Sequence, residues 1–190
     1  MGADSARQAA VFLDRDGTVI EDAEYLRSPD QVVMLPGAVK ALKALQDAGF
    51  LLIMVTNQSG VGRGMFTLQE VERVHVHLKE LLGQEGVRLD AIYVAPEAPG
   101  QPVHGRKPEP TFLFEARDAL GIDLARSYMV GDKAADVECG RRAGLVESIL
   151  VRTGKGAGTE AAMQARGDQV IVVDDLEAAA RWILARGKVR

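Results

Sequence analysis

Six short apolar runs alternate with helical patterns along this chain, and each run stops abruptly at polar residues. The runs are residues 9–13, 50–55, 89–94, 127–130, 146–151 and 170–173. Each is too short for a helix, and most are apolar at every position, the pattern of strands buried on both faces. Between them, apolar residues recur at helical spacing. Val39, Leu42 and Leu45 follow Pro36 and stop before Gly49, while Leu68, Val71, Val74, Leu78, Leu81 and Leu82 follow a capping box formed by Thr67 and Glu70. Further helices are expected at 109–120, from about 132, weakly between the last two strands, and at 176–185. Strict strand–helix alternation predicts an α/β fold, a Rossmann-like parallel sheet with helices on both faces. In such folds ligand chemistry gathers at the carboxyl ends of the strands.

Composition narrows the function classes. The chain has 190 residues, a length that suits one domain, expected over 9–187 behind a frayed tail at 1–8. Its 27 acidic residues outnumber its 23 basic ones, so it lacks the basic excess expected of a nucleic-acid or anionic-membrane binder. No apolar stretch approaches the roughly 20 residues that span a bilayer, and residues 1–10 carry no signal-like run. Gly2 fails the myristoylation pattern, because Ala6 stands where Ser or Thr is required. The single cysteine, Cys139, excludes an intrachain disulfide. A monomer in the reducing cytoplasm is expected.

The strand ends carry the chemistry. Strand one is followed by Asp14-Arg15-Asp16-Gly17-Thr18, and strand two runs into Thr56-Asn57-Gln58-Ser59-Gly60. The loop after strand three ends in Arg106-Lys107-Pro108, and strand four ends in Gly131-Asp132-Lys133 with Asp136 one turn on. Taken singly, Asp132 reads as a helix cap and Lys107 as a surface charge. A chance DxDGT in a chain of this length has odds on the order of two in a thousand, and here it directly follows a buried run. Carboxylates, a lysine, a hydroxyl and free backbone amides at one sheet edge suit Mg²⁺ and a phosphate ester, since hard oxygens bind Mg²⁺ while cations and N–H groups bind phosphoryl oxygens.

DRDGT, VTNQSG, RKP and GDKxxD, in this chain order, resemble the four motifs of the haloacid dehalogenase superfamily. FLDRDGT, VTNQSGVGRG, RKPEP, YMVGDK, LVRTGK and Tyr25 are similar to the heptose 1,7-bisphosphate phosphatases and related histidinol-phosphatases within it, from about Val11 to the last helix. The resemblance implies that Asp14 attacks phosphorus and that Asp16 acts as general acid and then base. It also implies that Mg²⁺ binds Asp14, the carbonyl of Asp16, and Asp132. Thr56, the amide of Asn57 and Lys107 would hold phosphoryl oxygens, Asp136 would steady Lys107 or a metal-bound water, and Lys133 would neutralise phosphate or pair with Asp136. The implied reaction removes the C7 phosphate of a small-molecule heptose bisphosphate. The alternatives are histidinol phosphate or another small phosphate ester, and, outside enzymes, a receiver-like phospho-acceptor domain. A receiver carries its acceptor after strand three, whereas here the candidate nucleophile follows strand one.

Two departures accompany the resemblance. Many members of the nearer family carry a zinc loop after strand three, but here its two halves read Ala95-Pro96-Glu97 and Val103-His104-Gly105. His104 alone cannot form a tetrahedral site, so no zinc is expected. Residues 17–35 and 95–108 are also too short for a folded cap, which predicts a capless, open site. Arg15, Arg63 and Arg106 are then candidates for a second, remote phosphate, although Arg63 equally fits a solvated loop charge. Four features are set aside. His75 and His77 point to different helix faces, Cys139 serves packing, residues 153–158 fail the P-loop pattern and read as a flexible loop, and Arg186, Lys188 and Arg190 read as a solvated tail.

Overall fold

A computed structural model describes residues 7–186. Six parallel strands, β1 (Ala10–Leu13), β2 (Leu51–Asn57), β3 (Ala91–Ala95), β4 (Tyr128–Gly131), β5 (Glu147–Val151) and β6 (Ile171–Val173), form one sheet in the order β3-β2-β1-β4-β5-β6. Among the described residues, seven α-helices accompany them: α1 (Ala38–Asp47), the one-turn α2 (Ser59–Gly62), α3 (Leu68–Gln84), α4 (Thr111–Leu120), α5 (Ala134–Ala143), α6 (Gly156–Ala165) and α7 (Leu176–Arg186).

Alternating side chains divide the core. Val11 and Leu13 of β1 join Leu52, Met54 and Val130 against α1, α3 and α7. Ala10 and Phe12 face the other way, with Ile53, Val55 and Met129 against α4 and α5. This two-sided burial explains why the strands read as continuous apolar runs. The strand order reverses direction between β1 and β4, which pair in register from Val11↔Tyr128 to Leu13↔Val130. A crevice opens at such a switch point, beyond the carboxyl ends of the two strands.

Local boundaries follow local chemistry. The capping box at α3 forms as expected, with Glu70 N donating to Thr67 Oγ1 and Thr67 N to Glu70 Oε2. Gly49 and Gly121 terminate α1 and α4 with positive φ. Strand β2 runs two residues beyond its apolar stretch, because Thr56 and Asn57 continue the ladder to Val94 and Ala95 of β3. Gln8, expected in the frayed tail, is instead tied down: its N–H donates to Gly121 O, its side chain to Gly49 O, and its carbonyl accepts from Asp123 N. Residues 1–6, including Gly2 and Ala6, and the terminal Lys188 and Arg190 lie outside the described residues. Among the described residues, no helix is long and apolar enough to cross a membrane.

Candidate active site

Asp14 leaves β1 with its N–H bonded to Val130 O, at 2.9 Å, which places its carboxylate in the crevice. Its two oxygens meet two ammonium groups, Lys107 Nζ at 2.7 Å from Oδ1 and Lys133 Nζ at 3.3 Å from Oδ2. Burial alone would raise the Asp14 pKa, but Lys107 and then Lys133 outweigh it and hold the carboxyl at about 2. Lys107 Nζ also lies 2.6 Å from Asp136 Oδ1 and donates to Val55 O at 2.7 Å. Burial disfavours its charge, yet Asp136 and Asp14 push its pKa up, so it stays an ammonium. The Lys107 backbone is pinned by Asn57, whose amide donates to Lys107 O and accepts from Lys107 N, at 3.1 and 2.9 Å.

The oxygens of Asp14, Asp16 and Asp132 converge on one cation. Lys133 Nζ lies 3.0 Å from Asp132 Oδ1, 3.3 Å from Asp14 Oδ2 and 3.4 Å from the carbonyl of Asp16. Its ammonium therefore occupies the point at which hard oxygen donors meet, and the donor set fits Mg²⁺. Lys133 does not pair with the Asp136 carboxylate through its ammonium, as the sequence had suggested. Asp136 accepts from the Lys133 backbone N–H at 2.9 Å, capping α5, and gives its other oxygen to Lys107. Asp132 is fully buried, and burial, then the neighbouring Asp14 charge, push its pKa up to about 6. Its Oδ2 accepts from Lys155 N at 2.8 Å. Gly17 and Gly154 pass so close to this carboxylate that a Cβ on either would overlap it. Both have positive φ, +82° and +58°, which favours glycine.

Thr56 is buried at the end of β2, where its hydroxyl oxygen accepts from Gln58 Nε2 at 2.7 Å. The same amide donates to Asp16 Oδ2 at 2.9 Å, so Gln58 ties the two motifs together. Two adjoining cavities open above these residues. One, of about 310 Å³, is lined by Asp14, Asp16, Arg106, Lys107 and Lys133. The other, of about 200 Å³, extends on the Asp16 side toward Asp22, Tyr25 and Phe66.

The three candidate arginines separate. Arg106 stands at the wall of the larger cavity, with Nη1 donating to Glu97 O at 3.1 Å. Arg63 is exposed behind α2 and lines neither cavity. Arg15 is only 1% exposed and committed to Asp16 and His75, so it is not free for a remote phosphate. His104 pairs with Glu115 at 2.7 Å, its backbone N–H bonds to Glu97, and the 95–106 loop closes on itself.

Three parts of the site escaped the sequence reading. Gln58 was visible inside VTNQSG but carried no distinguishing charge. Residues 153–155, expected to be a flexible loop, are built into the site: Thr153 Oγ1 donates to Gly17 O at 2.6 Å, and Lys155 N–H holds Asp132. His75, set aside in sequence as one half of an HxH pair, is 1% exposed. Burial first, then Arg15 and Lys79, lower its pKa to about 3. The unfolded chain therefore binds a proton below about pH 6.5 that folded His75 refuses. The associated stability is present above that pH and falls by about 1.4 kcal/mol per unit below it, until about pH 3. Urea unfolding between pH 6.5 and 5 should show a shallower decline for His75→Gln than for the parent. Equal slopes would contradict a neutral buried imidazole.

A family model described as HAD-hydrolase-like matches residues 104–179. The D-glycero-β-D-manno-heptose-1,7-bisphosphate 7-phosphatase of Yersinia pestis is 39% identical over 182 residues, covering 92% of this chain and 89% of its own. The protein of the same name from Escherichia coli K12 is 42% identical over 159 residues, covering 80% and 83%. The crystal structure of a D,D-heptose 1,7-bisphosphate phosphatase from B. bronchiseptica, complexed with magnesium and phosphate, superposes with a TM-score of 0.86 at 33% identity, covering 94% of this chain and 99% of that one. With the four motifs assembled at one sheet edge and relatives matching along nearly the whole length, the chain belongs to the haloacid dehalogenase-like phosphatases, in the family of these heptose-bisphosphate enzymes.

Proposed function

We propose that this chain is a Mg²⁺-dependent phosphomonoesterase that removes the C7 phosphate of D-glycero-D-manno-heptose 1,7-bisphosphate and leaves the 1-phosphate in place. The observation that carries the reading is the double wedging of Asp14 between Lys107 and Lys133, with Asp16 held at the cavity two residues on. An ionised, buried carboxylate aimed into a cationic crevice is a nucleophile for a phosphate ester. Asp14 attacks phosphorus and becomes an aspartyl-phosphate as the sugar oxygen leaves. Asp16 gives that oxygen its proton, then takes a proton from the water that hydrolyses the acyl-phosphate. Lys107 and the Thr56–Asn57 segment hold the phosphoryl oxygens, and Asp136 keeps Lys107 in place.

Asp14, the Asp16 carbonyl and Asp132 would hold Mg²⁺, which supplies positive charge against the phosphoryl oxygens. The Lys133 ammonium, now among these donors, would then neutralise the phosphate. The solved relative's magnesium and phosphate support this reading of the donor set. The names of the Yersinia and Escherichia relatives support the substrate and its β anomer. Arg106, at the rim, is the candidate for the remote phosphate, whose binding energy would orient the reacting one without a lid. The acidic balance supports a small-molecule substrate, and the single buried cysteine supports a reducing, cytoplasmic setting.

A panel of both heptose bisphosphate anomers, histidinol phosphate and a simple monophosphate ester tests the assignment. The highest kcat/KM is expected on a heptose bisphosphate, with C7 phosphate released. Arg106→Ala should lower kcat/KM on the bisphosphate at least about tenfold more than on the simple ester. A preference for histidinol phosphate would remove the substrate assignment, and equal losses would remove the role of Arg106.

A further inference from the structure

The chemistry above leaves one buried polar link unused. His75 sits on the core-facing stripe of α3, where the other buried residues, Val71, Val74, Leu78 and Leu82, are apolar. Its Nε2 lies 3.0 Å from Arg15 Nη1. A guanidinium has no acceptor, so Nε2 must accept, which makes the imidazole neutral with its proton on Nδ1. The remaining nitrogens of Arg15 face Asp16: Nε lies 3.2 Å from each carboxylate oxygen and Nη2 lies 2.9 Å from Oδ1. Gln58 closes the other side at Oδ2.

We propose that His75, acting through Arg15, is a positioning residue that sets the plane of the Asp16 carboxylate for proton transfer to the leaving oxygen. The proposal rests on the phosphatase reading given above. Asp16 touches the reacting atoms in that reading, the Arg15 guanidinium reaches Asp16 and His75, and the His75 ring reaches only the Arg15 guanidinium among these. Arg15 is adjacent to the acid in sequence, but its far end is anchored 60 residues away. Without the anchor, Nη1 is a buried donor with no partner, and the guanidinium can rotate away from the in-plane grip that fixes the acid. Small errors in the direction of a proton-transferring group lower rate without altering binding of the phosphate.

The dependence on leaving group separates this role from a packing role. A sugar or alkyl oxygen needs a proton as it departs, whereas p-nitrophenolate leaves without one. The test measures kcat/KM, which reports steps through formation of the aspartyl-phosphate and not the later attack by water. His75→Leu should lower kcat/KM on the heptose bisphosphate and on an alkyl phosphate by about 10- to 100-fold, and on p-nitrophenyl phosphate by less than about threefold. His75→Gln, whose amide oxygen can accept from Arg15, should recover most of the loss. His75→Asn, whose amide is shorter, should behave like His75→Leu and serves if the leucine variant does not fold. In an Asp16→Asn background, His75→Leu should cost nothing further on the alkyl ester. Equal losses on both kinds of ester, or no recovery with glutamine, would overturn the proposal while the phosphatase reading stands. A parent protein that hydrolyses no phosphate ester would overturn both.

Discussion

Asp14→Asn is expected to lower turnover by on the order of 10⁴-fold or more, because an amide cannot form the acyl-phosphate. The fold should survive the change. Lys107 keeps its 2.6 Å contact to Asp136, and Lys133 keeps Asp132 at 3.0 Å, so neither ammonium is stranded. The depressed pKa of Asp14 means that the parent carboxylate contributes stability fully above about pH 4 and loses it as pH falls through about 2. At neutral pH the variant forgoes that contribution but keeps its cooperative unfolding. Steady-state kinetics, phosphate trapping on the protein and a urea melt test this together. Near-normal turnover in a preparation free of contaminating phosphatase would exclude Asp14 as nucleophile.

Lys107→Ala is expected to damage stability as well as activity. Lys107 is the shared partner of Asp14 and Asp136, and all three side chains are at most 5% exposed. Removing one member of a buried ionic cluster leaves charge without compensation, which costs about 3–5 kcal/mol. Changing Lys107→Met and Asp136→Leu together should regain a large part of that loss, since apolar groups can replace a buried pair at little net cost. It should regain no turnover, because the phosphoryl group would have lost its cation. Denaturation midpoints and kcat, measured on the same preparations, would separate the two roles. A double variant no more stable than Lys107→Ala would show that the ionic cluster is not what the fold depends on here.

Much of this arrangement is legible in the sequence. The strands announced themselves because a sheet covered on both faces requires apolar residues at successive positions, and the motifs lay where those runs broke. What could not be read locally was which helix face meets which loop. His75 looks like one half of an HxH pair in sequence, and only the docking of α3 brings it to Arg15. Residues 153–155 carry no carboxylate or hydrophobic period, and their function is a backbone N–H offered to Asp132. The polar end of β2 is silent in the sequence for a similar reason. Its ladder to β3 is a backbone property that hydropathy does not report.

The pair of glycines around Asp132 has a further consequence for ion choice. Both glycine backbones and the Lys155 N–H meet one oxygen of this carboxylate, Oδ2, which leaves Oδ1 for the metal role proposed for it. A carboxylate held in this way would have little freedom to swing outward and lengthen a bond to an ion. Calcium takes oxygens at about 2.3–2.6 Å in flexible shells, whereas magnesium demands about 2.0–2.1 Å in a near-octahedral one. A stiff backbone frame of this kind would favour the smaller of two ions of equal charge, and the preference would reside in two residues that have no side chain with which to bind either ion.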